Sequence, residues 1–259
     1  MTAAAKKRTT PVPEPNKEEL LRCEQLVIGY GKHALLPAFD WSVYRGQMAL
    51  IVGHNGAGKT TMLRTLLGLL PTVSGRVHMS DPQVRMSYVS QATSLDELLP
   101  VPARMVVDWG SLRGWGFLRP FARKRERQRR DDCLAELGAA YYGQRAYRDL
   151  SGGQKQRILF ARMLMSEAEL VLLDEPTASM DIAAEREAYT RMAHLARERN
   201  VAVIVVTHTI DVAAEFTDQV LYFERGEREG PKVWAGEPQV VFNKPSFLRH
   251  FGKVGRNAE

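Results

Sequence analysis

Gly53-His54-Asn55-Gly56-Ala57-Gly58-Lys59-Thr60 is the stretch that decides the fold class. It fits G-x-x-x-x-G-K-[ST], and its flanks supply the context that pattern needs. Before it, Gln47 to Val52 is a continuous apolar run of the kind that forms a buried strand. After it, Lys59 to Leu70 carries Leu63, Leu66, Leu67 and Leu70 at helical spacing, with Pro71 predicted to stop the helix. Strand, glycine-rich turn and helix in that order make a phosphate cradle. Gly53, Gly56 and Gly58 let the loop's backbone N–H groups, those of His54, Asn55 and Ala57 included, turn toward phosphate oxygens. The helix start at Thr60 and Thr61 adds the positive end of its dipole. Lys59 is placed to reach the β and γ phosphates of a nucleoside triphosphate, and the Thr60 hydroxyl to serve Mg2+.

A second element completes the metal chemistry. Val171-Leu172-Leu173-Asp174-Glu175-Pro176 is an apolar strand ending in two adjacent acids. Beside a phosphate loop, Asp174 is expected to hold Mg2+ through water, and Glu175 to orient and polarise the attacking water.

Around these two elements, strands and helices alternate. Leu20 to Val43 reads as two or three short strands broken at Gly29-Tyr30-Gly31. Ser151 can cap a helix to Met165 in which Ile158, Ala161, Leu164 and Met165 share a face. Leu170 to Leu173 is a buried strand, Ala184, Ala188, Met192 and Leu195 mark the next helix, Val201 to Val206 the next strand, and Glu224 to Gln239 a hairpin. This alternation predicts an α/β fold with a mostly parallel sheet, helices on both faces, and ligands off the carboxyl ends of the strands. Between Ala92 and Asp149, Pro100, Pro102 and a helical Arg123 to Leu137 point to a mostly helical insertion. The expected organisation is a disordered tail over 1–19, one nucleotide-binding domain over 20–252 with a helical subdomain at about 92–149, and a short tail over 253–259.

Composition narrows the setting. The apolar runs Met48 to Val52, Leu170 to Leu173 and Val201 to Val206 fall far short of the roughly 18 to 20 residues a spanning helix needs. Met1 to Lys17 is rich in Ala, Thr, Pro and Lys without an apolar segment, which argues against a secretory signal and for a chain kept in the cytosol. Cys23 and Cys133 have no CxxC or Cys/His spacing, so they are expected to be ordinary buried or half-buried thiols. The net charge of +6 is matched by one run, Arg119, Arg123, Lys124, Arg125, Arg127, Arg129 and Arg130, opposed by Glu126. Such a run can neutralise nucleic-acid phosphates, but a solvated helix face or an inner-leaflet contact accounts for it equally well. Nucleic acid is not taken as a partner.

Many phosphate-loop enzymes share the first two elements; Leu150-Ser151-Gly152-Gly153-Gln154 separates them. It offers a second anion site, a serine hydroxyl and two glycine N–H groups at a helix start, which one fold cannot readily place on its own loop's nucleotide. The pentapeptide resembles the signature motif of the ABC ATPase family, and the likeness spans about Arg22 to Gly252. It implies an ATPase of ABC type, using ATP and Mg2+, on a mostly parallel core with an N-terminal antiparallel β region and a helical subdomain. In that family the signature closes over ATP held by the other subunit, so the resemblance implies a head-to-tail homodimer with two ATP molecules at its interface. Tyr30 matches the aromatic that stacks on adenine, Gln91 the Q-loop glutamine that senses Mg2+ and γ-phosphate, and His208 the switch histidine that touches γ-phosphate. Asp181 takes the D-loop place, behind Ala178-Ser179-Met180 in place of the commoner Ser-Ala-Leu.

The resemblance further implies a transmembrane permease on a separate chain, with this ATPase at the cytoplasmic face of the membrane. That separation favours an importer, with an extracytoplasmic substrate-binding protein as a further partner. Leu98 to Phe121, with Val106-Val107-Asp108-Trp109-Gly110 and Gly114-Trp115-Gly116, and the ending Pro245 to Gly252 resemble zinc, manganese and iron uptake ATPases. A metal-cation cargo follows by likeness, with a small solute or lipid as the alternative. Twin-cassette translation factors would need a second motif set and DNA-organising ABC ATPases a long coiled-coil insertion, and the sequence carries neither.

Overall fold

The computed structural model describes residues 18–89, 101–112, 124–178, 180–226 and 230–254. The chain opens with β1 (Glu19–Val27), the short pair β2 (Gly29–Tyr30) and β3 (His33–Ala34), then β4 (Phe39–Tyr44) and β5 (Met48–Gly53). After α1 (Lys59–Leu66) come β6 (Ser74–Met79) and β7 (Met86–Val89). A helical stretch follows: α2 (Ala103–Asp108), α3 (Lys124–Glu136) and α4 (Gly152–Ser166), joined in part by short 3-10 turns. The alternation then resumes with β8 (Leu170–Asp174), α5 (Ile182–Arg199), β9 (Ala202–Val206), α6 (Ile210–Ala213), β10 (Gln219–Glu224) and β11 (Lys232–Gly236). It closes with α7 (Pro238–Phe242) and α8 (Pro245–Phe251).

Six strands form the main sheet in the order β11-β10-β5-β9-β8-β7, parallel except for the β10/β11 hairpin at one edge. Its central strands are buried throughout, because alternate side chains enter two different cores. Met48, Leu50 and Val52 of β5 join Val171, Leu173, Val203 and Val205 in a core covered by the helical stretch, α5 and the C-terminal helices. Ala49 and Ile51 join Leu170, Leu172, Ile204 and Val206 in a second core against α1 and a three-stranded antiparallel sheet ordered β4-β1-β6. The expected break at Gly29-Tyr30-Gly31 is there, but the segment makes four strands, β2 pairing with β3 in a small ribbon.

Two helices differ from their sequence reading. Helix α1 stops at Leu66, short of Pro71, because Gly68 adopts φ 70 and the N–H of Leu69 turns back to the carbonyl of Arg64 at 2.9 Å. Helix α5 buries Glu185, Ala188, Tyr189, Met192, Ala193 and Ala196, a stripe rotated about one residue from Ala184 and Leu195, which are half-buried. The basic run is partly structural. Arg129 of α3 pairs with Glu167 and donates to the carbonyl of Leu164 at 3.2 Å, and Arg130 pairs with Asp108 at 3.1 Å, fastening α3 to α4 and α2. Lys124, Arg125 and Arg127 stay exposed, while Arg119 and Arg123 lie outside the described residues. Both cysteines are buried, and burial, helped by Asp40, pushes the Cys23 thiol up to about 12. Among the described residues no helix is long and apolar enough to cross a membrane.

Candidate functional site

Strands β5, β9 and β8 are neighbours, and parallel pairing sets Val206 beside both Ile51 and Asp174. The segments leaving their carboxyl ends, Gly53 onward, Thr207-His208-Thr209 and Glu175 onward, therefore meet on one side of the sheet. The phosphate loop takes the first position. Gly56 and Gly58 stand at φ 80 and 99, in the left-handed region that lets successive N–H groups face one concavity. Gly58 precedes the first turn of α1 without any side-chain cap, leaving that turn's N–H groups for a ligand. Gly53 is a close approach, since a Cβ there would sit 2.9 Å from the carbonyl oxygen of Phe223.

Lys59 is only 7% exposed, and its ammonium donates to the carbonyls of Gly53 at 2.7 Å and His54 at 3.1 Å. Burial lowers its pKa, while Glu175 and Asp174 pull the other way. At the end of β8, one strand beyond β9, Asp174 accepts from the Thr60 hydroxyl at 3.3 Å, so the two residues expected to serve Mg2+ meet. Burial raises the Asp174 carboxyl, opposed by the Thr60 hydroxyl, while Glu175 adds to the rise. Glu175 sits at φ 50, left-handed for a residue with a side chain, at a cost of about 1–3 kcal/mol. Its N–H is held by the carbonyl of Val206 at 2.8 Å, and its carboxylate lies 3.2 Å from His208 Nδ1.

The remaining sequence-predicted residues fall around this centre. Tyr30 is 49% exposed, its ring available for stacking, and its hydroxyl lies 3.1 Å from the Thr61 hydroxyl. His54 has its ring centroid 6.4 Å from that of His250, so α8 reaches the phosphate loop. Asn55 turns its carbonyl to His54 Nδ1 at 2.7 Å, and the Ala57 N–H bonds the His54 carbonyl at 3.1 Å. Ser151 caps α4 reciprocally: its hydroxyl accepts from the Gln154 N–H at 3.4 Å and its own N–H bonds the Gln154 side chain at 3.1 Å. Gly152 and Gly153 are exposed, with nothing within 4 Å of where a Cβ would stand apart from their chain neighbours and their own helix backbone. Among the described residues no hydrogen bond or ion pair joins Ser151, Gly152, Gly153 or Gln154 to the phosphate loop. Asp181 accepts from the Ala184 N–H at 2.8 Å and so caps α5. Gln91 lies outside the described residues.

Other residues complete the site without having been singled out. Tyr88, at the end of β7, donates its hydroxyl to the same Asp174 oxygen as Thr60, at 3.4 Å. The Gln156 side chain of α4 donates to the carbonyl of Pro176 at 3.3 Å, tying the start of that helix to the acidic loop. Glu185, Thr177, Thr207 and Thr209 form a polar group beneath Glu175 and His208. A readable signal existed for Glu185, an acid three residues before Ala188 and seven before Met192 on an otherwise apolar face. Tyr88 lay on an apolar strand, where a tyrosine reads as core.

A buried lysine among loop N–H groups, an acid paired with a threonine hydroxyl, and an acid–imidazole pair can together bind a triphosphate and activate water. Known proteins agree. Residues 36–178 match the family model described as ABC transporter. A zinc import ATP-binding protein ZnuC of Pseudomonas entomophila (strain L48) is 33% identical over 240 residues, covering 93% of this chain and 86% of that protein. The structure of cbiO1 from Clostridium perfringens, part of the ABC transporter complex cbiONQ, superposes with a TM-score of 0.73 at 25% identity, covering 90% of this chain and 94% of that one. A nucleotide-free ATP-binding cassette from an ABC transporter shares the fold at a TM-score of 0.76 and 19% identity, covering 89% and 97%. Motif, geometry and likeness converge: the chain belongs to the ABC transporter family, as one of its ATPases.

Proposed function

We propose that this ATPase powers the import of a metal cation, zinc foremost, working as a pair of copies on a transmembrane permease carried by a separate chain. The cargo rests on the zinc import ATP-binding proteins that resemble it over most of their length. The mechanism rests on one observation: the Glu175–His208 pair, 3.2 Å apart, stands at the strand ends beside Lys59 and Asp174. Exposed Ser151, Gly152 and Gly153 make no bond to that centre, which supports their use by a second copy. The ATPase then works at the cytoplasmic face of the membrane, with a substrate-binding protein delivering the cargo outside.

The residues present fit Mg2+. Thr60 and Asp174 offer only oxygen donors, suited to a hard cation, at a carboxyl that burial raises. When bound, the ion would neutralise charge on the β and γ phosphates. Thr60 and Asp174 would hold it, with Gln91 as the third residue expected to serve it, and Tyr88 would keep Asp174 turned inward. Lys59 exchanges its loop carbonyls for phosphate oxygens. Glu175 takes a proton from water, and His208 holds that carboxylate while donating toward the γ-phosphate. Tyr30 stacks on the adenine, worth roughly 1–3 kcal/mol.

Growth tests the cargo. Cells lacking this chain are expected to stall under zinc chelation and to recover with added zinc or a wild-type copy, but not with a Glu175→Gln copy. Recovery with manganese or iron alone, or no chelator phenotype, would refute zinc as the cargo.

A further inference from the structure

The group beneath the reacting pair has a specific geometry. Glu185, in the first turn of α5, is a carboxylate only 7% exposed. One of its oxygens, Oε1, accepts from the Thr177 hydroxyl at 3.1 Å and from the Thr209 hydroxyl at 2.8 Å. Thr177 lies two residues beyond Glu175, and Thr209 directly follows His208. Thr207, on the other side of His208, closes the group: its hydroxyl is 3.0 Å from that of Thr209 and accepts the Thr209 N–H at 3.1 Å. A single buried oxygen thus joins the loop carrying Glu175 to the loop carrying His208.

An acid in a first turn favours a helix, but that role does not require its burial. Asp181 already caps α5, and the rest of the buried stripe is Ala188, Tyr189, Met192, Ala193 and Ala196. An apolar side chain at this position would avoid the desolvation of a carboxylate and is commonly neutral or stabilising. What it could not do is hold two hydroxyls from two loops at one point. We propose that Glu185 is a positioning residue for ATP hydrolysis: it fixes the spacing of Glu175 and His208 by clamping Thr177 and Thr209. It rests on the reading of Glu175 and His208 as a working pair. Because Glu185 lies in the first turn of the helix that Asp181 caps, the clamp also ties that turn to both loops.

Both bonds end on the same oxygen, so the clamp needs an acceptor and not a charge. Glu185→Gln, with its amide oxygen in that place, is expected to keep turnover within about threefold, whereas Glu185→Leu and Thr209→Val lower kcat by about 10- to 100-fold. Nucleotide affinity of the full chain stays within about threefold in all of them, and Thr209→Ser behaves as Glu185→Gln does. In a His208→Ala background, Glu185→Leu adds less than about twofold, since it acts through that histidine. A fold defect would instead add in full and lower nucleotide binding with it. If Glu185→Leu does not fold, the Thr209→Val and Thr209→Ser pair decides. Parental kcat in folded Glu185→Leu or Thr209→Val, equal losses in Glu185→Gln and Glu185→Leu, or full additivity with His208→Ala would each overturn the clamp. Parental kcat in His208→Ala alone would remove the paired reading beneath it, and the clamp with it.

Discussion

Asp174 shows what single residues give up for chemistry. Its carboxyl is raised chiefly by burial, so in the nucleotide-free protein it keeps its proton to higher pH than in the unfolded chain. The native state then binds more protons across that window, and stability falls as pH rises through the raised pKa. Asp174→Asn is therefore expected to raise the melting temperature of the nucleotide-free protein at neutral pH and to flatten its fall with pH. The same variant loses the extra melting stability that Mg2+ adds to ATP. A lower melting temperature without nucleotide would contradict this reading. Glu175→Gln is expected to keep nucleotide affinity and lose about 100- to 10,000-fold in turnover, read by titration and steady-state hydrolysis. Lys59→Ala should weaken the binding itself, because it removes the buried cation proposed to meet the phosphates. At this scale the motif residues were legible because phosphate chemistry fixes both residue type and spacing. Tyr88 was not, and Glu185 showed only as an acid on an apolar face, since their partners Asp174, Thr177 and Thr209 come together only through folding.

The strands were the most legible elements. Their two-sided burial leaves continuous apolar runs, and a helix follows each of β5, β8 and β9. Helix limits were less so, because Gly68 can end a helix as firmly as the proline three residues on, and sequence does not rank the two. Gly110 illustrates contact-driven choice of residue. It lies in the 3-10 turn Trp109–Ser111, where a Cβ would stand 2.2 Å from the carbonyl oxygen of Arg162 in α4. Gly110→Ala is expected to destabilise the protein by about 1–3 kcal/mol, measured by chemical denaturation. An unchanged denaturation midpoint would show that the helical stretch packs against α4 less closely than described.

At the scale of the whole molecule, the decisive feature is a separation. The lysine loop, the acids and the histidine gather at one end of the sheet, while the capped start of α4 stands exposed with its glycines uncovered. Sequence spacing could announce two phosphate grips, but only the fold shows that no bond within the chain joins them among the described residues. Gly153 allows a direct test, because a side chain there meets open space and an acid near a helix start favours the helix. Gly153→Asp should thus fold normally and yet repel a γ-phosphate brought to it by another copy. The measurement is sedimentation velocity of the Glu175→Gln protein with saturating ATP and Mg2+. A dimer that returns to monomer with ADP, and that Gly153→Asp abolishes, is the expected result. A monomer at saturating ATP, or a dimer indifferent to Gly153→Asp, would contradict a site completed by two copies.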